Sequence, residues 1–181
     1  VYAGPGTVGA RETFSLPVWV NRCGVLAGAG QFGTAEQGIF SYWLHAWSQR
    51  RPLRYIGFGG AGHQVRDALH PADLAALLAA QMQFAAEASG LKGGRIFNIG
   101  GGMANSLSLA ELSAWCRDRF GPREVAVDTS PRPWDIPWMV MDSGRAAQVF
   151  AWRPQRSIGA ILEEIAGHAE SHPGWLDLAA G

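Results

Sequence analysis

Short apolar runs alternate along this chain with periodic stripes of apolar residues. The run LPVWVNRCGVL, which starts at Leu16, is apolar and β-branched and therefore predicts a strand buried on both faces within a parallel sheet. Shorter runs predict further strands over 53–58, 95–99, 124–128 and 138–142. Because such strands alternate with helical stripes, we expect an α/β layer protein whose sheet is at least partly parallel.

Helices are predicted where apolar residues recur with the 3.6-residue period. The first is predicted over 37–49, and its buried stripe consists of Phe40, Trp43, Leu44 and Trp47. The last is predicted to begin at Ser157, and its stripe consists of Ile158, Ile161, Leu162 and Ile165. Helical spacing alone accounts for the aromatic residues of the first stripe, so we interpret them as core and not as a stacking platform for a ligand.

Capping signals predict the remaining helix starts. Pro71 and Asp73 suit the first turn of a helix predicted over 71–88, since proline lacks an N–H group and a carboxylate is favourable near a helix N-terminus. The S-x-x-E pattern at 108–111 is a capping box that predicts another helix. Ser143 is expected to cap a short one.

The composition narrows the class of protein. With 181 residues, of which 48% are hydrophobic and 17% charged, the chain suits a single folded domain. Fifteen basic and fifteen acidic residues cancel, so neither nucleic acid nor a membrane surface is expected as a partner. No apolar run approaches ~18 residues, so no transmembrane helix is predicted. Cys23 and Cys116 lack CxxC or metal-ligand spacing, and residues 1–9 lack a signal-peptide pattern, which together predict a reduced, cytoplasmic protein.

Two arginines are candidates for binding an anion. Arg66 stands beside Asp67, between a glycine-rich turn and a helix start, where a guanidinium can present a rigid fork of donors to a phosphate or carboxylate. Arg132 and Asp135 lie in the proline-flanked R-P-W-D loop, where a second guanidinium could reach the same anion. For each arginine the alternative is equally supported: a structural contact with Asp67 for Arg66, and a solvated loop position for Arg132.

Other chemistries find little support in the residue pattern. The five histidines have no metal-like spacing, so we expect surface or capping roles for them and no metal site. No serine or cysteine has the context of an activated nucleophile. A GxGxxG pattern at 28–33 follows a strand and precedes a helix, but no acidic residue for a ribose ends the next strand. In a chain with 24 glycines this pattern is more consistent with glycine content than with a dinucleotide site.

Four motifs in a fixed order resemble one protein family. They are RCGVLAGAGQFG from Arg22, EQG, GHQVRDALHPADL and FNIGGGMANSLSLAEL. Together they resemble the C-terminal half of the extended short-chain dehydrogenases/reductases, the NAD-dependent epimerase/dehydratase family, and within it they look most like the CDP-paratose 2-epimerases. The resemblance implies late parallel strands of a Rossmann-like fold and the following helix over about 14–60. A small α/β substrate-binding portion is then expected over about 61–175, with the N-terminal dinucleotide-binding half missing from this chain.

The resemblance also implies a ligand and the residues that bind it. Members of the family bind NAD and a nucleotide-diphosphate sugar, here with a CDP-sugar favoured; they oxidise the sugar C2 hydroxyl transiently and return the hydride to the opposite face. The arginine of QVRD, Arg66, is implied to bind the diphosphate, and Arg132 and Asp135 to contact phosphate and ribose. The further residues implied in the site are Gln37 and Gln64 for the nucleotide and sugar, and Cys23 and Gly24 for the nicotinamide.

The catalytic pair of that family is absent from this sequence. Its members use Tyr-x-x-x-Lys, in which the lysine lowers the pKa of the tyrosine so that it can exchange a proton near neutral pH. The lysine here, Lys92, follows Ala88 by four residues, and none of Tyr2, Tyr42 and Tyr55 precedes a lysine at that spacing. We therefore assign no catalytic residue and expect the chain to be inactive alone.

Three functions remain open at this point. The first is the substrate-binding half of an NAD-dependent nucleotide-sugar 2-epimerase. The second is a stand-alone nucleotide-sugar binding module, and the third is an inactive fragment. For the first of these, a homo-oligomer or a separate N-terminal half is expected as the partner.

Overall fold

The computed structural model of the chain describes residues 18–34, 37–84, 94–131 and 135–178. Arg132, the start of the strand predicted from Leu16 and the end of the helix predicted over 71–88 lie outside these residues. The strands are β1 Val20–Cys23, β2 Val25–Leu26, β3 Arg54–Ile56, β4 Val65–Leu69, β5 Ile96–Ile99, β6 Ser106–Ser108, β7 Ala126–Asp128 and β8 Trp138–Met139. The helices are α1 Ile39–Ser48, α2 Pro71–Phe84, α3 Leu109–Phe120, α4 Gly144–Phe150, α5 Ile158–Ser171 and α6 Trp175–Leu178. None of the helices found in these ranges is long and apolar enough to cross a membrane.

Parallel pairing dominates the sheets, which confirms the predicted α/β class. β1 pairs with β5 and β3 pairs with β7, both in parallel. β4 is the centre of a further sheet: its C-terminal end pairs in parallel with β2, while its N-terminal end pairs with β6 antiparallel and with β8 parallel. The end of β4 that carries Arg66 is therefore bonded on both edges, which fixes its backbone.

The apolar run from Leu16 does not form one continuous strand. It breaks at Gly24 into β1 and β2, and these belong to different sheets. The amide of Gly24 still donates to the carbonyl of Ile99 at 2.7 Å, and a Cβ added at Gly24 would lie 2.7 Å from Oδ1 of Asp67. The residues of β1 and β2 are only half-buried, so the prediction of a strand buried on both faces is wrong over the described residues.

The main core lies between α1, α3 and α5. The four residues of the predicted α1 stripe are each at most 4% exposed, which confirms the helical prediction. The indole N–H of Trp43 donates to the hydroxyl of Ser113 on α3 at 3.0 Å, and its ring stacks on Tyr55 of β3 with centroids 5.7 Å apart. A second apolar cluster includes Leu69, Leu77, Phe97 and Phe150, so it joins β4 and β5 to α2 and α4.

The predicted side-chain cap is present at the start of α3 and absent at the start of α4. The amide of Glu111 donates to Oγ of Ser108 at 3.1 Å, and the Glu111 carboxylate accepts from the Ser108 amide at 2.7 Å. The bonds that the Glu111 carboxylate accepts from the amide and the hydroxyl of Ser108 lower the pKa of Glu111. Ser143 precedes α4 as predicted but makes no side-chain cap. Its hydroxyl instead bonds to the backbone of Gly100, from whose amide it accepts at 2.9 Å.

Candidate functional site

A cavity of about 640 Å³ lies between the start of α1, the strands β3, β4 and β6, and the loop before β8. Its apolar wall includes Ile39, Ile56 and Leu107. Ligand cavities of this size, mostly apolar with a few convergent polar groups, are the usual form of a small-molecule site. The polar groups here come from separate segments of the chain, so the tertiary fold assembles them.

Arg66 projects into this cavity from β4. Arg66 thus lies within a strand, and not between a turn and a helix start as the sequence predicted. Its guanidinium donates from Nη1 to the Val65 carbonyl and from Nη2 to Oδ1 of Asp135, each at 2.7 Å. The carboxylate partner of Arg66 is thus Asp135. It is not the sequence neighbour Asp67, which was the alternative partner predicted from the sequence. A guanidinium has five N–H groups. Two of those on Arg66 make these bonds, and the other three have no hydrogen-bond partner among the described residues.

Asp67 lies on the other side of β4, since successive side chains of a strand point to opposite faces. It is fully buried, and its Oδ2 accepts from the amides of Gly102 at 2.9 Å and Met141 at 3.3 Å. Its Oδ1 is buried and has no hydrogen-bond partner in the part of the chain that the structure describes. Asp67 therefore ties β4 to the loop after β5 and to the segment after β8, and it does not contribute to the cavity wall.

Asp135 is held in place by its own loop. Its Oδ1 accepts from the amide of Ile136 at 3.0 Å, and the amide of Val65 donates to the Pro137 carbonyl at 2.8 Å. Oδ2 of Asp135 accepts no hydrogen bond from a described residue. The side chains of Arg66 and Asp135 are only 18% and 17% exposed, so their ion pair is shielded from water. Arg132 lies outside the described residues, and its place in the site stays a prediction.

The two glutamines of the predicted site have different positions. Gln64 lines the cavity. Its Nε2 is 3.5 Å from the Ile56 carbonyl, and its Oε1 is buried without a hydrogen-bond partner among the described residues. Gln37 is exposed and does not line the cavity, although the next residue, Gly38, does. The backbone of Gln37 forms a turn with Thr34, to whose hydroxyl its amide donates at 3.1 Å.

The structure adds one charged residue that the sequence reading missed. Arg54 lines the cavity from β3, where its Nη1 lies 3.7 Å from Oδ2 of Asp128 and its side chain is 62% exposed. A charged residue inside the otherwise apolar run LRYIGF is the signal that could have found it. The described cavity wall therefore carries two positive charges, from Arg54 and Arg66, and one negative charge, from Asp135.

A larger cavity, of about 760 Å³, opens beside Gly100–Gly102, the start of α4 and the loop before α5. Arg153 and Arg156 lie on its wall, but none of the residues predicted for a site does. Nη1 of Arg156 already donates to the buried carboxylate of Asp73 at 3.1 Å. We therefore place the candidate site in the smaller cavity.

Several solved structures share this fold. UDP-glucose 4-epimerase of Thermotoga maritima, solved with UDP-glucose, superposes with a TM-score of 0.74 at 21% identity over 91% of this chain and 49% of that one. dTDP-glucose 4,6-dehydratase of Bacillus anthracis, solved with NAD, gives 0.72 at 20% identity over 95% and 50%. UDP-glucose 4-epimerase of Thermus thermophilus, also solved with NAD, gives 0.72 at 19% identity over 91% and 50%. This likeness confirms the expected Rossmann-like class, and the chain spans about half of each structure.

Sequence comparison is more specific. No family model matches the chain. CDP-paratose 2-epimerase of Salmonella typhi is 31% identical over 150 residues, which are 80% of this chain and 42% of that protein. This likeness and the shared fold confirm the resemblance to the extended short-chain dehydrogenases/reductases, and the chain corresponds to a C-terminal part of their fold.

The two residues that this family resemblance implied near a nicotinamide do not line either cavity. Cys23 ends β1, and burial raises the pKa of its thiol, so it stays protonated at neutral pH. Gly24 packs against Asp67 and Met141. Neither of the two cavities reaches Cys23 or Gly24, and their assignment to a cofactor site stays a prediction.

Proposed function

We propose that this chain is the substrate-binding half of an NAD-dependent nucleotide-sugar epimerase similar to CDP-paratose 2-epimerase, and that its 640 Å³ cavity binds a nucleotide-diphosphate sugar. One observation carries the proposal: Arg66, Gln64 and Asp135 converge on a cavity with an apolar wall. The complex of the Thermotoga maritima relative with UDP-glucose supports the class of ligand.

The polar groups match the parts of such a ligand. The three N–H groups of Arg66 that have no partner among the described residues can donate to diphosphate oxygens, and the bond to Asp135 fixes the direction of the guanidinium beforehand. Oδ2 of Asp135, which accepts no bond from a described residue, can accept from ribose hydroxyls. The buried Oε1 of Gln64 has no donor in the described part of the chain, and an amino or hydroxyl group of the ligand would supply one. Arg54 gives the described lining its excess positive charge, which favours a diphosphate.

The chemistry of the reaction is divided between this chain and other groups. NAD, when bound, would accept a hydride from the sugar and return it. In our proposal the residues of this chain hold and orient the nucleotide diphosphate, and none of them is assigned to the proton transfer. CDP is the favoured nucleotide because of the relative at 31% identity.

Calorimetric titration of the 181-residue chain with CDP, UDP and GDP tests the proposed ligand class. We expect CDP to bind more tightly than the other two and to raise the unfolding temperature of the chain, since a ligand of the folded state stabilises it. Tighter binding of UDP or GDP would contradict the CDP preference. A folded chain that binds none of the three contradicts the proposed ligand class.

We expect the chain to show no epimerase activity alone. It contains no Tyr-x-x-x-Lys pair, so the group that would exchange a proton with the sugar hydroxyl is absent from it. The assay incubates the chain with NAD and CDP-paratose or CDP-tyvelose and follows the sugar by NMR, with the Salmonella typhi relative as the positive control. An epimer formed at a rate near that of the control would contradict this expectation.

A further inference from the structure

Three histidines from two distant parts of the sequence form one cluster on the side of α1. His45 of α1 is 1% exposed, and its Nε2 lies 3.2 Å from Nδ1 of His168 on α5. The rings of His168 and His172 stack with centroids 4.1 Å apart and an interplanar angle of 13°. The expectation of surface or capping roles is therefore wrong for His45, which begins a row of imidazoles that leads from the core to the surface.

This cluster contacts the short helix α6 through Trp175. The Trp175 ring meets His168 edge-on at 4.7 Å and His172 at 5.9 Å. Its indole N–H donates to the carbonyl of Gln31 at 3.0 Å, and its ring stacks on Phe32 at 4.7 Å. Trp175 thus joins the histidines to the loop that precedes α1.

The contact between His45 and His168 requires at least one of the two rings to be neutral. In the hydrogen bond between His45 and His168 one nitrogen must donate and the other accept, so at least one of the two facing nitrogens carries no proton. The other ring nitrogen of His45, Nδ1, is buried without a partner among the described residues. Burial, followed by the charges of His168 and His172, lowers the pKa of His45 to about 4. Burial and His172 also lower the pKa of His168.

The carboxylates on the surrounding helices do not offset a positive charge in the cluster. On α5, Glu164 bonds to His70, and Glu163 and Glu170 both bond to Arg119. On α6, Asp177 pairs with Arg51 at 2.7 Å. No hydrogen bond or ion pair among the described residues joins a carboxylate to any of the three histidines. A proton on the closed cluster would therefore be an uncompensated charge.

We propose that the cluster of His45, His168 and His172 is a proton-sensitive latch, which holds α6 and the Gln31–Phe32 loop against α1 while His45 and His168 are neutral and releases them in mild acid. Once α6 has moved away, the rings of His45 and His168 are hydrated and regain the ordinary histidine pKa near 6.5. The released state therefore binds protons that the closed state excludes. Below about pH 6.5 each such histidine raises the opening constant by up to tenfold per pH unit. The latch does not depend on the proposed ligand of the cavity.

The test follows the indole N–H signal of Trp175 by NMR from pH 7.5 to 4.5, with the signal assigned by its loss in Trp175→Phe. We expect the wild-type chain to open more steeply than tenfold per pH unit, because two histidines with lowered pKa take up protons. His168→Gln keeps an amide facing His45 but removes one titrating ring, so its slope should fall to at most tenfold. His63→Gln is the matched control, since His63 is exposed and lies outside the cluster.

Far-UV circular dichroism at each pH separates release of α6 from unfolding of the whole chain. Release of Trp175 with unchanged circular dichroism, and with the slope reduced only in His168→Gln, supports the latch. Equal slopes in all three proteins would overturn it. So would a Trp175 signal that stays unchanged down to pH 4.5, or one that is lost only when the whole chain unfolds.

Discussion

Arg66→Ala is expected to weaken CDP binding by about ten- to a hundredfold. Hydrogen bonds to a charged group contribute about 1.5–3 kcal/mol, and each 1.4 kcal/mol corresponds to about tenfold in the dissociation constant. The bonded backbone of β4 and the contact with Asp135 hold the guanidinium in one direction, so the wild-type chain loses little side-chain entropy on binding. Removing the side chain removes both the charge and this preset geometry. Calorimetry of the two proteins at one salt concentration measures the difference.

Two further substitutions show whether Arg66 acts on the ligand directly. Arg117→Ala removes an equal charge from the surface of α3, where Arg117 lies 3.6 Å from Asp118, and we expect it to leave CDP affinity within about twofold. Arg132→Ala tests the second arginine that is predicted to bind the diphosphate and should cost as much affinity as Arg66→Ala. An unchanged affinity in both the Arg66 and Arg132 variants, each shown by melting to be folded, would rule out diphosphate binding by these two arginines.

Asp73→Ala is expected to lower the free energy of unfolding by about 2–4 kcal/mol. Asp73 is 3% exposed, and its carboxylate accepts from the amides of Gln155 at 3.2 Å and Arg156 at 3.1 Å. It also accepts from the guanidinium of Arg156 at 3.1 Å. Truncation leaves these donors unpaired, and an unpaired buried donor costs about 1–3 kcal/mol. The guanidinium contributes less to this figure because it is 43% exposed and water can replace its partner.

Urea unfolding at pH 7 measures the effect. Asp118→Ala is the matched control, because Asp118 is 77% exposed beside Arg117 and its loss should change stability by less than about 0.5 kcal/mol. Asp73→Asn should lie between the two, since the amide oxygen still accepts from one or both backbone donors. Equal stability of Asp73→Ala and the wild type would show that the contacts to the segment before α5 contribute nothing.

The predictions that succeeded concern residues close together in the sequence. The buried stripe of α1 follows from helical periodicity, which depends on neighbours within two turns. The capping box of α3 joins Ser108 to a residue three positions away. The α/β class follows from the alternation of such local patterns. The motif order from Arg22 to FNIGG…NSLSL was enough to show the resemblance to the family. The site residues that this resemblance implied stay a prediction; the structure brings three of them, Arg66, Gln64 and Asp135, to one cavity.

The partner of each buried charge was decided by the tertiary structure. Arg66 bonds to Asp135, 69 residues away, because β4 and β8 pair side by side, while its sequence neighbour Asp67 faces the opposite side of the strand. Asp73 looked like a favourable first-turn carboxylate of α2, yet packing brings the segment before α5 over it. His45 and His168 are 123 residues apart and meet only because α1 packs on α5. Periodicity and capping act within a few residues, whereas these contacts depend on which strands pair and in which register. No pattern in a single sequence specifies that pairing.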